Sequence, residues 1–186
     1  MIQSYIEQGT KKVRHIVELA VGEMAALKQN TLNPDFLLLA LLSQPDSGAM
    51  QIIHQLSPKP VDVATQLKGL VYQHYKMAAS EQGEQVLASK ELGQVFKVAY
   101  DLSRDLGDTY ISTGVLFIAL FDTGAGHTAD FLKQAGLNQN EALKALKELR
   151  NGSVIATDDA ETEADLLSRF TQDLTKQARD GELDPV

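Results

Sequence analysis

The sequence predicts an all-α protein built from two four-helix repeats related by pseudo-twofold symmetry, followed by a flexible C-terminal linker. Three observations carry that expectation. Apolar residues recur at intervals of three and four, the period of a helix face. The chain matches itself without a gap when shifted by 79 residues, the mark of an internal repeat. Composition also changes beyond Asn151-Gly152, where acidic residues take over. No β-branched alternation bounded by turn residues is present, so strands are not expected.

Taken in order, Val13, Ile16, Val17, Ala20, Met24 and Leu27 line one face of a first helix. Asn33 then caps a second helix whose first position is Pro34, where a missing amide costs nothing. Its body, Phe36-Leu-Leu-Leu-Ala-Leu-Leu42, is apolar nearly all round and must be covered on most sides. Ile52 and Ile53 mark a third helix, and Leu67 and Leu70 a fourth. The stretch 72–89 is polar and mixes loop with helix ends. In the second half Val95, Phe96 and Ala99 take the places of Ile16, Val17 and Ala20, and Val115 to Phe121 take those of Phe36 to Leu42. Phe131 and Leu132 replace Ile52 and Ile53, while Leu146 and Leu149 replace Leu67 and Leu70. Ser112 stands where Asn33 stood, so a capping residue opens both central helices. Asn138 followed by Glu141 is a capping-box-like start for the last helix. The expected boundaries are a domain over 1–152, with repeat one about 10–72 and repeat two about 89–151. Residues 153–186 form a linker, loosely attached beyond about 155, with a short helix reaching Leu174. Leu37, Ala40, Leu41, Leu116, Ala119 and Leu120 are assigned to the core.

Composition narrows function. The 186 residues contain no cysteine, which removes disulfides and thiolate metal sites. No run of eighteen apolar residues exists, and the N-terminus lacks the pattern of a signal peptide, so a cytoplasmic protein with no membrane partner is expected. Residues 157–186 carry nine acidic and three basic side chains, against sixteen and fourteen in 1–156. An acidic chain without a basic stripe is unsuited to nucleic acid. Gly9-Thr10-Lys11-Lys12 lacks the spacing of a phosphate loop. His15, His54, His74 and His127 form no ligand pair at helical spacing, and no serine sits in a nucleophile elbow. Neither enzyme activity nor a metal is expected of this chain.

The doubled unit with Asn30-Thr-Leu-Asn-Pro-Asp-Phe-Leu-Leu-Leu-Ala-Leu-Leu42 in one half and Leu106-Gly-Asp-Thr-Tyr-Ile-Ser-Thr-Gly-Val-Leu-Phe-Ile-Ala-Leu120 in the other resembles the Clp N-terminal domain. Phe170-Thr-Gln-Asp-Leu-Thr-Lys-Gln-Ala-Arg-Asp-Gly-Glu-Leu-Asp-Pro-Val186 resembles the segment joining that domain to the first ATPase module, so the chain reads as cut short at that junction. The close of the domain at Leu149-Arg-Asn-Gly152 and the junction resemble ClpB-type chaperones more than ClpC or ClpA. The resemblance implies a module that captures unfolded or aggregated polypeptide for a hexameric ATP-driven motor; the alternative is adaptor docking in a protease-associated unfoldase. It implies no cofactor in this chain, with ATP held only by AAA+ modules that the chain lacks. An isolated domain would be monomeric, and a DnaK-type chaperone would engage other parts of the parent.

The resemblance carries client binding onto Thr10, Val98, Leu102, Asp108 and Val115: an apolar groove walled by Val98, Leu102 and Val115, with Thr10 across from it and Asp108 at its rim. Plain structural roles compete. Thr10 suits an N-cap, Asp108 a turn, and the three apolar positions a core. One departure stands out. Where relatives carry an acidic residue after the opening cap of each central helix, the first copy has Asp35 but the second has Gly114. A mode needing both acids, such as the phosphoarginine recognition of ClpC-type domains, is not expected.

Overall fold

The computed structural model describes residues 2–81 and 83–162. The expected helix reaching Leu174 and the junction motif lie outside the described residues. A short helix α1 (Ile2–Glu7) precedes the first repeat, which comprises α2 (Lys11–Ala26), α3 (Pro34–Ser43), α4 (Gly48–Leu56) and α5 (Pro60–Lys76). The second repeat comprises α6 (Lys90–Asp105), α7 (Thr113–Ala119), α8 (His127–Gln134) and α9 (Gln139–Arg150). All four helix starts in one repeat lie 79 residues from their counterparts in the other.

The caps explain why the starts fall where they do. Thr10, Asn33, Ser47, Ser89, Ser112 and Asn138 each accept a hydrogen bond from an amide two or three residues on, satisfying donors that the first turn leaves free. Helix ends repeat as well. Lys28 and Gly107, which are counterparts, both take positive φ after the C-caps Leu27 and Leu106. Asn151, left-handed at φ 47°, ends α9, as the sequence signalled.

The repeats interlock rather than merely touch. Helix α4 of the first repeat packs on α7 and α9 of the second, while α8 packs on α3 and α5. One continuous core results, centred on Phe36, Leu37, Leu38, Leu39 and Leu41 with Phe96, Leu116 and Phe117. Its closest approach needs a glycine at 48, where a Cβ would lie 2.3 Å from the Gly114 nitrogen. A Cβ on Gly114, whose helix propensity is poor, would instead press on Leu146 of α9 at 2.8 Å.

Two expectations need correction. Strands do occur: β1 (Thr31–Leu32) and β2 (Leu87–Ala88) pair in parallel. Their counterpart in the other half is a single bridge between Gly9 and Ile111. Two-residue strands are too short to leave a periodic signal. The second correction concerns 153–162, expected to be loosely attached from about 155. This segment is seated on the domain as a strap, with Ile155 buried and 160–162 helical.

Candidate functional site

The pseudo-twofold arrangement creates two seams between the repeats. At the first, the start of α2 meets the start of α7 beside the Gly9–Ile111 bridge, and the Thr10 amide donates to the Ile111 carbonyl (2.9 Å). At the second, the start of α6 meets the start of α3 beside β1 and β2, and the Ser89 amide donates to the Leu32 carbonyl (2.9 Å).

The strap fills the first seam. The Ile155 amide donates to Asp108 Oδ1 (2.9 Å), and the Ile155 carbonyl accepts from Thr109 (2.8 Å). The Asp158 carbonyl accepts from the Lys11 amide (2.7 Å), and its carboxylate pairs with Arg14 (3.1 Å). Glu161 ends the run: Thr10 and Thr113 both donate their hydroxyls to its carboxylate, and the Thr113 amide adds a third bond (3.0 Å). Glu161 is partly buried as a residue, but its carboxylate faces two fully buried threonines. Withdrawal from water raises its pKa above the ordinary 4.5, against the lowering effect of these hydrogen bonds and of Lys12.

The second seam is an open cleft of about 600 Å³, lined among others by Asp35, Glu81, Ser89, Glu91, His127 and Asp130. Among the described residues no lysine or arginine lines it. At its floor Asp35 is buried and accepts from Thr128 (2.5 Å) and Tyr75 (2.8 Å). Burial and the neighbouring Asp35 push the Tyr75 hydroxyl pKa far up, so it stays a donor. His74 and His127, far apart in sequence, pack beside it with ring centroids 4.6 Å apart and planes tilted by 43°. No group of three or more potential metal ligands occurs among the described residues.

The two seams differ in charge because counterpart positions differ. Lys12 in the first corresponds to Glu91 in the second, and Gly114 corresponds to Asp35.

The structure redistributes the expected groove. Val115 is 0 % exposed and sits in the core, so it cannot wall an open groove. Thr10, also 0 % exposed, caps α2 by accepting from the Val13 amide (3.2 Å) while donating to Glu161. Asp108, 2 % exposed, is no rim: Arg150 Nη1 reaches both its oxygens (2.8 and 2.7 Å), and Arg150 Nη2 donates to Ser112 (3.0 Å). Only Val98 and Leu102 stay half-buried, on α6. Thr10 and Asp108 do come together, beneath the same strap. Glu161, Thr113 and Arg150 were missed. The pair Val154-Ile155, aliphatic ahead of acidic residues, was the available signal for a docked segment.

A family model for the Clp repeat (R) N-terminal domain matches residues 8–135, and the chain belongs to that family. Among relatives, the ClpB chaperone of Corynebacterium glutamicum is 28% identical over 177 residues, and that of Brucella suis 25% over 181. These matches cover 95% and 97% of this chain but only 20% of each relative, so the chain spans about a fifth of their length. Among solved structures, the Hsp104 N-terminal domain from Candida albicans superposes with a TM-score of 0.68 at 18% identity, covering 82% of this chain and 98% of that one. The ClpD N-terminal domain from Arabidopsis thaliana gives 0.56 at 20% identity, over 76% and 96%. The fold is therefore that of the N-terminal domains of ClpB, Hsp104 and ClpD-type chaperones.

Proposed function

We propose that this chain is the polypeptide-binding N-terminal module of a ClpB-type ATP-dependent chaperone, non-catalytic itself, and that it takes segments of unfolded clients at the second seam. The observation that carries this reading is the open cleft, whose pseudo-symmetric counterpart already holds a segment of the chain, the strap. Exposed apolar side chains supply a second contact: Met77, Val86 and Leu87 lie on the 77–89 connection, which is hydrogen-bonded along 28–32 next to the cleft. Four carboxylates, with no lysine or arginine among the described lining residues, suit a client segment that mixes apolar with basic residues. A patch of this size buries only a few client side chains, so micromolar or weaker affinity is expected, at about 25 cal/mol per Å² less ordering costs.

Titration of the chain with a reduced, alkylated and permanently unfolded protein, followed by NMR, tests the reading. Expected shifts fall on Thr31, Leu87, Ser89, Glu91 and His127, and Leu87→Ser weakens binding severalfold without moving the melting temperature. Shifts confined to Val98 and Leu102 would relocate the site to α6. Binding of folded partners but not of unfolded chains would replace client capture with adaptor docking.

A further inference from the structure

Within the first seam the hydrogen-bond bookkeeping is one-sided. Thr10 Oγ1 accepts from the Val13 amide (3.2 Å), and Thr113 Oγ1 accepts from the Gly48 amide (2.8 Å). Each hydroxyl is thereby turned so that its proton points into the seam, where the Thr113 amide points too. These three donors are fixed by buried backbone on two different repeats, before any ligand is considered. An acceptor with two oxygens satisfies all three, and the carboxylate of Glu161 does so, one oxygen taking Thr10 and the other Thr113. Arg14 adds a cation three residues upstream along the bound segment, and the 108–110 turn offers main-chain partners three residues further on.

We propose that the first seam is a receptor for acidic peptide segments carrying an aliphatic residue followed by acids three and six positions later, and that residues 155–161 are its resident ligand in cis. The partner is an acidic segment of another protein, which enters when the strap leaves. Features of the strap suit such an exchange. It follows two consecutive residues at positive φ, Asn151 and Gly152, and inserts one aliphatic anchor, Ile155. Its Asp158–Arg14 pair is more than a third exposed on both sides, and such pairs contribute little. Desolvation of Glu161 also works against docking. Tethering, rather than intrinsic affinity, keeps the strap in place, because a short tether gives millimolar effective concentration. This inference does not depend on client capture at the second seam.

The test compares the 186-residue chain with its Ile155→Asp, Asp158→Ala, Glu161→Ala variant, using a fluorescein-labelled peptide of sequence 153–162. The peptide is expected to bind the opened variant at least about tenfold more tightly than the unaltered chain, since no tethered competitor remains. Binding should fall about tenfold with a peptide whose final glutamate is alanine, and by a few-fold at most when Arg14→Glu is added to the opened chain. Circular-dichroism melts confirm that the variants fold. If the triple variant does not, Glu161→Ala alone carries the same comparison. Equal binding to opened and unaltered chains, or equal binding of a scrambled peptide, overturns the proposal.

Discussion

Asp108 shows how far a turn residue's role can depend on partners distant in sequence. Its carboxylate receives Arg150 from the end of α9 and the Ile155 amide from the strap, joining three parts of the chain. With the aspartate side chain fully enclosed and Arg150 nearly so, removing one charge strands the other. Asp108→Asn should lower stability by about 3 kcal/mol in a denaturant melt, far more than a surface turn would lose. Gly107-Asp108 announced the turn in the sequence; nothing announced Arg150, forty-two residues away. Thr10 was legible as a cap but not as a donor to Glu161, because a hydroxyl's second bond depends on tertiary neighbours. Glu161 makes a pH prediction with a definite sign. Since its docked pKa is raised, the docked state binds protons more readily than the free one, so docking strengthens as pH falls from above the raised value toward 4.5 and weakens as pH rises. Lys12, Arg14, Asp46 and Asp158 surround the site and set the background. An NMR titration of the Glu161 side chain should give a midpoint above 4.5; a midpoint at or below it would contradict the enclosed carboxylate.

At the scale of elements, the helix starts were the most readable feature. Caps and proline act locally, so Asn33-Pro34, Ser112 and Asn138 each announced the helix that follows. The parallel pair of β1 and β2 was not readable, since its partners lie fifty-six residues apart and each contributes two residues. The all-round apolar run of α3 correctly announced a covered helix, buried from Pro34 to Leu42. Among the described residues no single helix is long and apolar enough to cross a membrane. The α4–α7 crossing supplies the element-scale prediction. Gly48→Ala places a methyl 2.3 Å from backbone that cannot rotate away, and overpacking of this kind costs roughly 1–3 kcal/mol. A melting temperature equal to that of the parent would show that the helices can separate more easily than their geometry implies.

For the whole molecule, the 79-residue match foretold the symmetry, and the structure adds the exchange of α4 and α8 between repeats. A sequence repeat says that two units are alike; it does not say which helix of one fills the core of the other. Since α4 completes the second repeat and α8 the first, neither repeat owns a finished core. The fragments 1–81 and 83–162 are therefore expected to lack a cooperative melt separately and to regain one when mixed. Two independent melts would mean that the halves are separate folding units. The candidate surfaces were less legible than the fold for the same reason. Thr10, Asp108 and Val115 occupy helix starts and turns that the symmetry axis brings inward, whereas the open cleft is lined by residues of both repeats far apart in sequence, Asp35 and His127 among them.

The strap also has a mechanical meaning. Tension applied to the chain at residue 162 first loads Glu161, then Asp158, then Ile155, before reaching α9. These contacts meet the load one after another, so they should peel apart at lower force than the interlocked helices, which resist together. The strap then acts as a fuse that yields while the body stays intact. Ten freed residues extend on the order of 30 Å at 3.3–3.6 Å each. Pulling on single chains should show that small step ahead of the main rupture, and Glu161→Ala should erase or weaken it while leaving the rupture force of the body unchanged.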